Sequence, residues 1–165
     1  MNGVIIRHAT ADDIPRMLEI FAAAREFMVK TGNPNQWGED YPGERQLIED
    51  MECGSSYVVD DGGHTTATFV IRENPEPAYS DIKDGHWLNS EPYATIHRVA
   101  STGETRGIFR LALQQAMLHH DNIRIDTHRD NVVMRNAISK AGFEYCGIIN
   151  YGPGNERMAF QLVVH

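Results

Sequence analysis

The residues of this chain that could do chemistry lie mainly in its second half. His97 stands in the apolar run Ile96-His97-Arg98-Val99-Ala100, and Asp126 and His128 stand two positions apart at the end of a later run. An imidazole with an ordinary pKa near 6.5 can be neutral at working pH and accept a proton. Residues two apart share one side of a strand if the strand continues that far. His97 is therefore the leading candidate for a general base, with Asp126 and His128 a second pair. A packed histidine in the sheet, and a cap or loop role for the pair, are the structural alternatives.

A loop that suits a phosphate follows the first of these runs. Residues Ser101–Ile108 connect it to a helical pattern, and the free amides at the start of a helix attract a pyrophosphate. Arg106 and Arg110 could add charge-assisted hydrogen bonds. The window 95–140 holds seven basic and four acidic residues, whereas the whole chain has a net charge of −8. This contrast favours a small anionic ligand over nucleic acid, although a solvated helix face would also explain the two arginines.

Hydrophobic periodicity predicts the elements that must position these residues. Strands, helices and a hairpin at Asp61-Gly62-Gly63 follow in the order β-α-α-β-β-β-α-β-α-β-β. Thr10 is the predicted N-cap of the first helix, and either Asp130 or Asn131 caps the last one. Residues 73–91, with two prolines, are predicted to be an irregular connection. The pattern indicates a mixed α/β sheet with helices on its faces.

Composition sets the class of protein. The 165 residues, 41% hydrophobic and 23% charged, predict one globular domain spanning 1–165. Apolar runs are too short for a membrane span. Cys53 and Cys146 form no disulfide framework or metal-type pair, so a cytoplasmic location is expected.

The motifs together resemble the GNAT superfamily of acetyl-CoA-dependent N-acyltransferases. The resemblance is carried by the strand 96–100, by Arg106-Gly107 at the following helix, and by Asn131 with Gly142-Phe143 eleven residues later. It implies a mostly antiparallel central sheet of about seven strands flanked by about four helices. It also implies acetyl transfer from acetyl-CoA, without a metal, to a primary amine of a small molecule or peptide in a ternary complex. A homodimer is a further expectation.

The resemblance assigns roles to particular residues. It implies that the strand containing His97 separates from its neighbour, which leaves the backbone N–H groups around Val99, Ala100 and Ser101 free to polarise the thioester. Asn131 contacts the pantetheine arm. The loop that contains Gln36, Trp37 and Tyr41 borders the acceptor amine. The alternative role of this loop is structural, with the Trp37 ring buried as its anchor. The phosphate loop comprises Arg106, Gly107, Ile108, Phe109 and Arg110.

The sequence departs from the family pattern in two places. Phe109 and Leu111 stand where small residues normally allow close backbone approach. Many relatives carry a tyrosine as general acid at the position of Ile138, so Tyr145 is the nearest replacement, unless it is a sheet-packing aromatic. These departures leave two other functions open. One is a CoA-binding protein without turnover, and the other is a metal-dependent hydrolase that uses His97, Asp126 and His128.

Overall fold

The computed structural model describes residues 3–164, and its centre is one seven-stranded sheet in the order β1-β2-β3-β4-β5-β7-β6. Neighbouring strands are antiparallel except β4 and β5, which are parallel. Four α-helices flank the sheet, as the family resemblance implied. The strands are β1 (Val4–His8), β2 (Ser56–Asp61), β3 (His64–Arg72), β4 (Ala94–Ser101), β5 (Asn122–Thr127), β6 (Glu144–Asn150) and β7 (Glu156–Val163). The helices are α1 (Ile14–Lys30), α2 (Glu44–Glu52), α3 (Ile108–Met117) and α4 (Val132–Lys140).

The ends of the elements form where the local sequence favours them. Thr10 and Asp13 make a capping box around a single 3-10 turn, so α1 begins at Ile14 rather than directly after Thr10. Asn131 is the N-cap of α4, and its side-chain oxygen accepts a hydrogen bond from the Met134 N–H at 3.1 Å. That bond fixes the start of α4 beside the end of β5.

Each face of the sheet buries a separate apolar cluster. α3 and α4 pack on one face, where Phe69, Ile96 and Ile138 are almost fully buried. α1 and α2 pack on the other face around Phe21 and Leu47. Burial of apolar surface on both faces fixes the position of the central strands.

The connection between β3 and β4 is irregular, as predicted, but it is firmly anchored. The Arg124 guanidinium lies between the rings of Trp87 and Tyr93, 4.2 and 4.1 Å from their centroids. The indole N–H of Trp87 donates to the carbonyl of Tyr79 at 2.8 Å. These contacts hold Glu76 and Tyr79 beneath the middle of the sheet.

The same connection also runs against the edge strand β6. Lys83 forms an antiparallel bridge with Ile148. A Cβ on Gly85 would lie 1.9 Å from the carbonyl oxygen of Cys146, so the two backbones touch at a point where only glycine fits.

The sheet opens in its middle. β4 and β5 are in register only at Ala94 with Ile123 and at Thr95 with Arg124. Beyond Thr95 the two strands separate, while β5 continues to pair with β7 as far as Thr127. The gap predicted between neighbouring strands beside His97 is therefore present.

A bulge in β4 accompanies the gap. His97 pairs with Val70 and Ala100 pairs with Thr68, so β4 contains one residue more than β3 over this stretch. Arg98, within the bulge, has a φ of 50°, a left-handed conformation that is uncommon for a residue with a side chain. The bulge interrupts strict alternation along β4 and turns its backbone at the gap.

Candidate active site

A cavity of about 460 Å³ occupies the gap between β4 and β5. Its walls come from the loop between α1 and α2, from β4 and β5, from the start of α4, and from the turn between β6 and β7. Among the residues predicted from sequence, seven line it: Gln36, Trp37, Tyr41, His97, Val99, Asp126 and Asn131. The topology therefore brings the predicted acceptor loop and the leading base candidate into one space.

His97 lines this cavity with its side chain 12% exposed. Burial, with further contributions from Arg98 and Arg72, lowers the pKa of His97 to about 3. Its Nε2 atom is buried and has no hydrogen-bond partner within residues 3–164, and Oε2 of Glu76 lies 3.6 Å away. His97 is thus a neutral imidazole with an unused nitrogen, close to a negative charge.

Asp126 lies across the gap on β5 and is held by two phenols. The hydroxyl groups of Tyr79 and Tyr151 each donate to its Oδ2 at 2.6 Å. Burial raises the pKa of Asp126, and these two hydrogen bonds oppose that shift. Burial next to this carboxylate also raises the pKa of both phenols, so Tyr79 and Tyr151 keep their protons at working pH.

An ion pair supports the bulge from behind. Arg98 donates from Nε and Nη2 to both carboxylate oxygens of Asp50 on α2, at 2.8 and 2.7 Å. Its remaining terminal nitrogen donates to the Tyr41 hydroxyl at 2.9 Å. Arg98 therefore ties β4, α2 and the acceptor loop together, which offsets its unfavourable φ.

Gln36 joins the acceptor loop to the far side of the cavity. Its Oε1 accepts from Asn33 Nδ2 at 3.0 Å and from Asn131 Nδ2 at 3.1 Å, and it lies within 3.4 Å of the Thr127 hydroxyl. Since Asn131 also caps α4, both ends of its amide are engaged within the protein. Gln36 and Asn131 thus shape the cavity, whatever else they contact.

Two predicted catalytic residues do not line the cavity. β5 ends at Thr127, and the Nδ1 of His128 accepts from the Asp130 N–H at 3.0 Å, which places its ring in a separate hollow. The i, i+2 alternation expected for Asp126 and His128 therefore stops one residue short. Tyr145 lies on the edge strand β6, half exposed, with its ring packed edge-on against Phe160. Its position matches the sheet-packing alternative.

The segment 101–107 forms a compact loop at the outer end of the gap. Ser101 Oγ accepts from the Gly103 N–H at 3.0 Å, and Thr102 Oγ1 accepts from the Glu104 N–H at 3.2 Å. Thr105 is buried and donates to Asp61 at 2.8 Å. Ala100, at its start, is buried against the α1 side of the sheet. These bonds fix the conformation of the loop.

The first turn of α3 presents free donors at this loop. Gly107 is its N-cap with a φ of 72°, and the first N–H to reach a carbonyl is that of Leu111, which donates to Gly107. Within residues 3–164, the amides of 106–110 have no acceptor, and the exposed side chains of Arg106 and Arg110 make no ion pair. This is an anion-binding arrangement.

The bulky residues of that turn do not fill the loop. The Phe109 ring packs against Phe143, 6.1 Å between centroids, and Leu111 packs against the same core. Ile108 is buried, so it offers the loop its backbone alone. The departure from small residues at Phe109 and Leu111 is therefore absorbed by the core.

Sequence reasoning missed several cavity residues, among them Glu76, Tyr151 and Arg157. Glu76 lies in the connection without periodicity. Tyr151 and Arg157 flank the turn at Gly152-Pro153-Gly154, which brings them together. The Gly-Pro-Gly sequence was the available signal, because such a turn predicts that the residues on either side of it lie close together.

Within the described part of the chain, no three or more His, Cys, Asp or Glu side chains are grouped so as to hold a metal ion. None of the helices described is both long and apolar enough to cross a membrane.

Comparison with known proteins places this fold. No protein-family model and no curated protein matches the sequence. A GNAT-family acetyltransferase from Streptococcus agalactiae 2603 matches with a TM-score of 0.87 and 28% identity over 99% of this chain and 97% of that one. A putative acetyltransferase from Staphylococcus aureus Mu50 has a TM-score of 0.72 at 20% identity, covering 98% and 99%. A putative acetyltransferase from Salmonella typhimurium, solved with its cofactor acetyl-CoA, has a TM-score of 0.63 at 13% identity, covering 99% and 95%.

The seven-stranded sheet, open between β4 and β5 and flanked by four helices, has the architecture of a GNAT-family acetyltransferase. The chain shares the fold of GNAT-family acetyltransferases, as its motifs implied. These similarities support acetyl transfer as its general chemistry.

Proposed function

We propose that the protein is an acetyl-CoA-dependent N-acetyltransferase that acts on a primary amine by direct attack in a ternary complex. The gap between β4 and β5 carries the proposal, because it joins an anion-binding loop to a cavity that holds His97 and Glu76. A thioester bound along this gap supplies an activated acetyl group. The described residues fit such a group, since 106–110 offer free amides and two arginines for the pyrophosphate.

The bulge supplies donors for the thioester carbonyl. Arg98 and Val99 have no partner residue on β3 or β5. Both residues line the cavity, and Asp50 holds Arg98 in place. Main-chain N–H groups fixed in this way stabilise the negative charge that develops on the carbonyl oxygen, which contributes about 3 kcal/mol in comparable sites.

His97 and Glu76 provide the route for the proton. As the amine nitrogen bonds to the acetyl carbon, the C–S bond breaks and one N–H proton must leave. The neutral Nε2 of His97 accepts it, and the Glu76 carboxylate 3.6 Å away stabilises the resulting imidazolium. With a pKa of about 3, His97 is too weak to deprotonate a free ammonium of pKa about 10, a gap of about 10 kcal/mol. The amine therefore enters as its free base.

The departing thiolate takes its proton from solvent, because an alkyl thiol is only a weak acid near neutral pH. Tyr151 lines the cavity, but its proton is already donated to Asp126. In this proposal, neither His128 nor Tyr145 contacts the reacting atoms.

Thiol release from acetyl-CoA, measured against a panel of amines, amino acids and peptides, tests the proposal. Turnover with at least one acceptor, reduced at least about 100-fold in kcat by His97→Gln, is the expected result. His119→Gln is the matched control, since His119 is exposed just after the end of α3 and has no role assigned above. A CoA-dependent rise in Tm without thiol release from any acceptor would instead identify a CoA-binding protein without turnover.

A further inference from the structure

Arg157 is a buried cation that has no carboxylate partner among the described residues. It lies on β7, 7% exposed, and lines the cavity beside the α1–α2 loop. Its Nη1 donates to the Glu156 carbonyl at 3.0 Å and its Nη2 to the Gln36 carbonyl at 2.8 Å. Among residues 3–164 it makes no ion pair, and burial lowers its pKa. A guanidinium held by neutral carbonyls keeps most of its charge available to a ligand.

The other cavity charges are arranged differently. Arg98 is neutralised by Asp50, and His97 is neutral. Glu76 and Asp126 are both acidic, and Asp126 lies close enough to Glu76 and to Arg157 for each to shift its pKa. The cavity therefore has an acidic side at Glu76 and a separate cationic point at Arg157.

We infer that the acceptor is a small amino carboxylic acid, whose carboxylate binds Arg157 while its amine faces His97 and Glu76. This inference rests on the function proposed above. The reaction would form an N-acetyl amino acid and free CoA thiol, with the amine losing one proton. A carboxylate supplies the missing counterion, and the planar guanidinium can bind it through two hydrogen bonds.

A phosphate of the co-substrate is a poorer occupant for Arg157. Arg106 and Arg110 lie at the outer loop after β4, whereas Arg157 is on β7, beyond β5 in the sheet. Arg157 therefore belongs to the acceptor side of the cavity.

The first test compares matched acceptors with the unaltered protein. Each amino acid in the panel is assayed beside its carboxamide and its decarboxylated amine, for example phenylalanine, phenylalaninamide and phenethylamine. The free acids should have kcat/KM values at least about tenfold higher than their amides. Equal or higher values for the amides, or a preference for peptide N-termini, would overturn the inference while leaving acetyl transfer intact.

The second test uses Arg157→Gln and Arg157→Lys, with the exposed Arg129→Gln as the charge-matched control. Arg157→Gln should abolish the preference for the acid over the amide and leave CoA affinity unchanged. Arg157→Lys should retain part of the preference, and Arg129→Gln should retain all of it. An equal loss for acid and amide would mean that Arg157 only supports the loop at Gln36.

Direct binding separates the two proposals if no acceptor turns over. In the presence of CoA, an N-acetyl amino acid should raise the Tm of the unaltered protein more than the matching N-acetyl amide. No difference between the two would refute the carboxylate site. Thiol release alone decides whether the protein is an acetyltransferase.

Discussion

The buried neutral His97 makes the stability of the protein depend on pH in a predictable way. In the unfolded chain the pKa of His97 is 6.5, and in the folded protein it is about 3. Below pH 6.5 the unfolded chain therefore binds a proton that the folded protein does not. Protonation of His97 in the unfolded chain therefore costs the folded state nothing above pH 6.5. The free energy of unfolding then decreases as the pH falls from 6.5 toward 3.

The size of the effect follows from these two values. Between pH 8 and pH 5 the difference in proton binding costs the folded state about 2 kcal/mol. Because pH 5 lies well above the folded pKa, this figure depends almost entirely on the unfolded value. His97→Gln removes the titrating group while keeping a similar shape.

Urea unfolding at pH 8 and pH 5 measures the effect in both proteins. The unaltered protein should lose about 2 kcal/mol more than His97→Gln between these conditions. All other titrating groups are shared, so their contributions largely cancel in the comparison. The opposite result, in which the unaltered protein becomes more stable than His97→Gln at pH 5, would refute the reasoning. It would mean that Glu76 holds His97 in its charged form.

Three further predictions concern the supports of the site. Asp50→Asn leaves Arg98 without its buried counterion and should cost about 3–5 kcal/mol in unfolding free energy, whereas the same change at the exposed Asp40 should cost under about 0.5 kcal/mol. Replacing Arg106 and Arg110 together by Gln should weaken CoA at least tenfold but leave a truncated pantetheine thiol unaffected; equal weakening of both ligands would remove these arginines from phosphate binding. Gly107→Ala forces a φ of 72° on a residue with a side chain, so it should lower the free energy of unfolding by about 1 kcal/mol, as measured by thermal unfolding. It should also weaken CoA binding, because Gly107 begins the turn that presents the free amides.

The sequence predicted most of the elements because their apolar spacing is regular. The hairpin at Gly62-Gly63, the cap at Asn131 and the strand containing His97 were all readable from local pattern. The gap was predicted only through the family resemblance, since separation of β4 from β5 is a property of two strands distant in sequence.

The rest of the site depends on long-range packing. Glu76 reaches His97 because Arg124 and Trp87 anchor an irregular connection, and no periodicity encodes that path. Tyr145 was chosen by its nearness in sequence to the family position, but alternation along an edge strand placed it on the surface. Tyr151 lines the cavity instead, because the turn between β6 and β7 places it there.

Only two residue pairs join β4 to β5, so the seven strands behave mechanically as a four-strand sheet and a three-strand sheet that meet at a short seam. Any molecule that contacts both edges of the opening adds links where the structure has fewest. A ligand bound in the gap should therefore slow amide hydrogen exchange along this seam more than elsewhere.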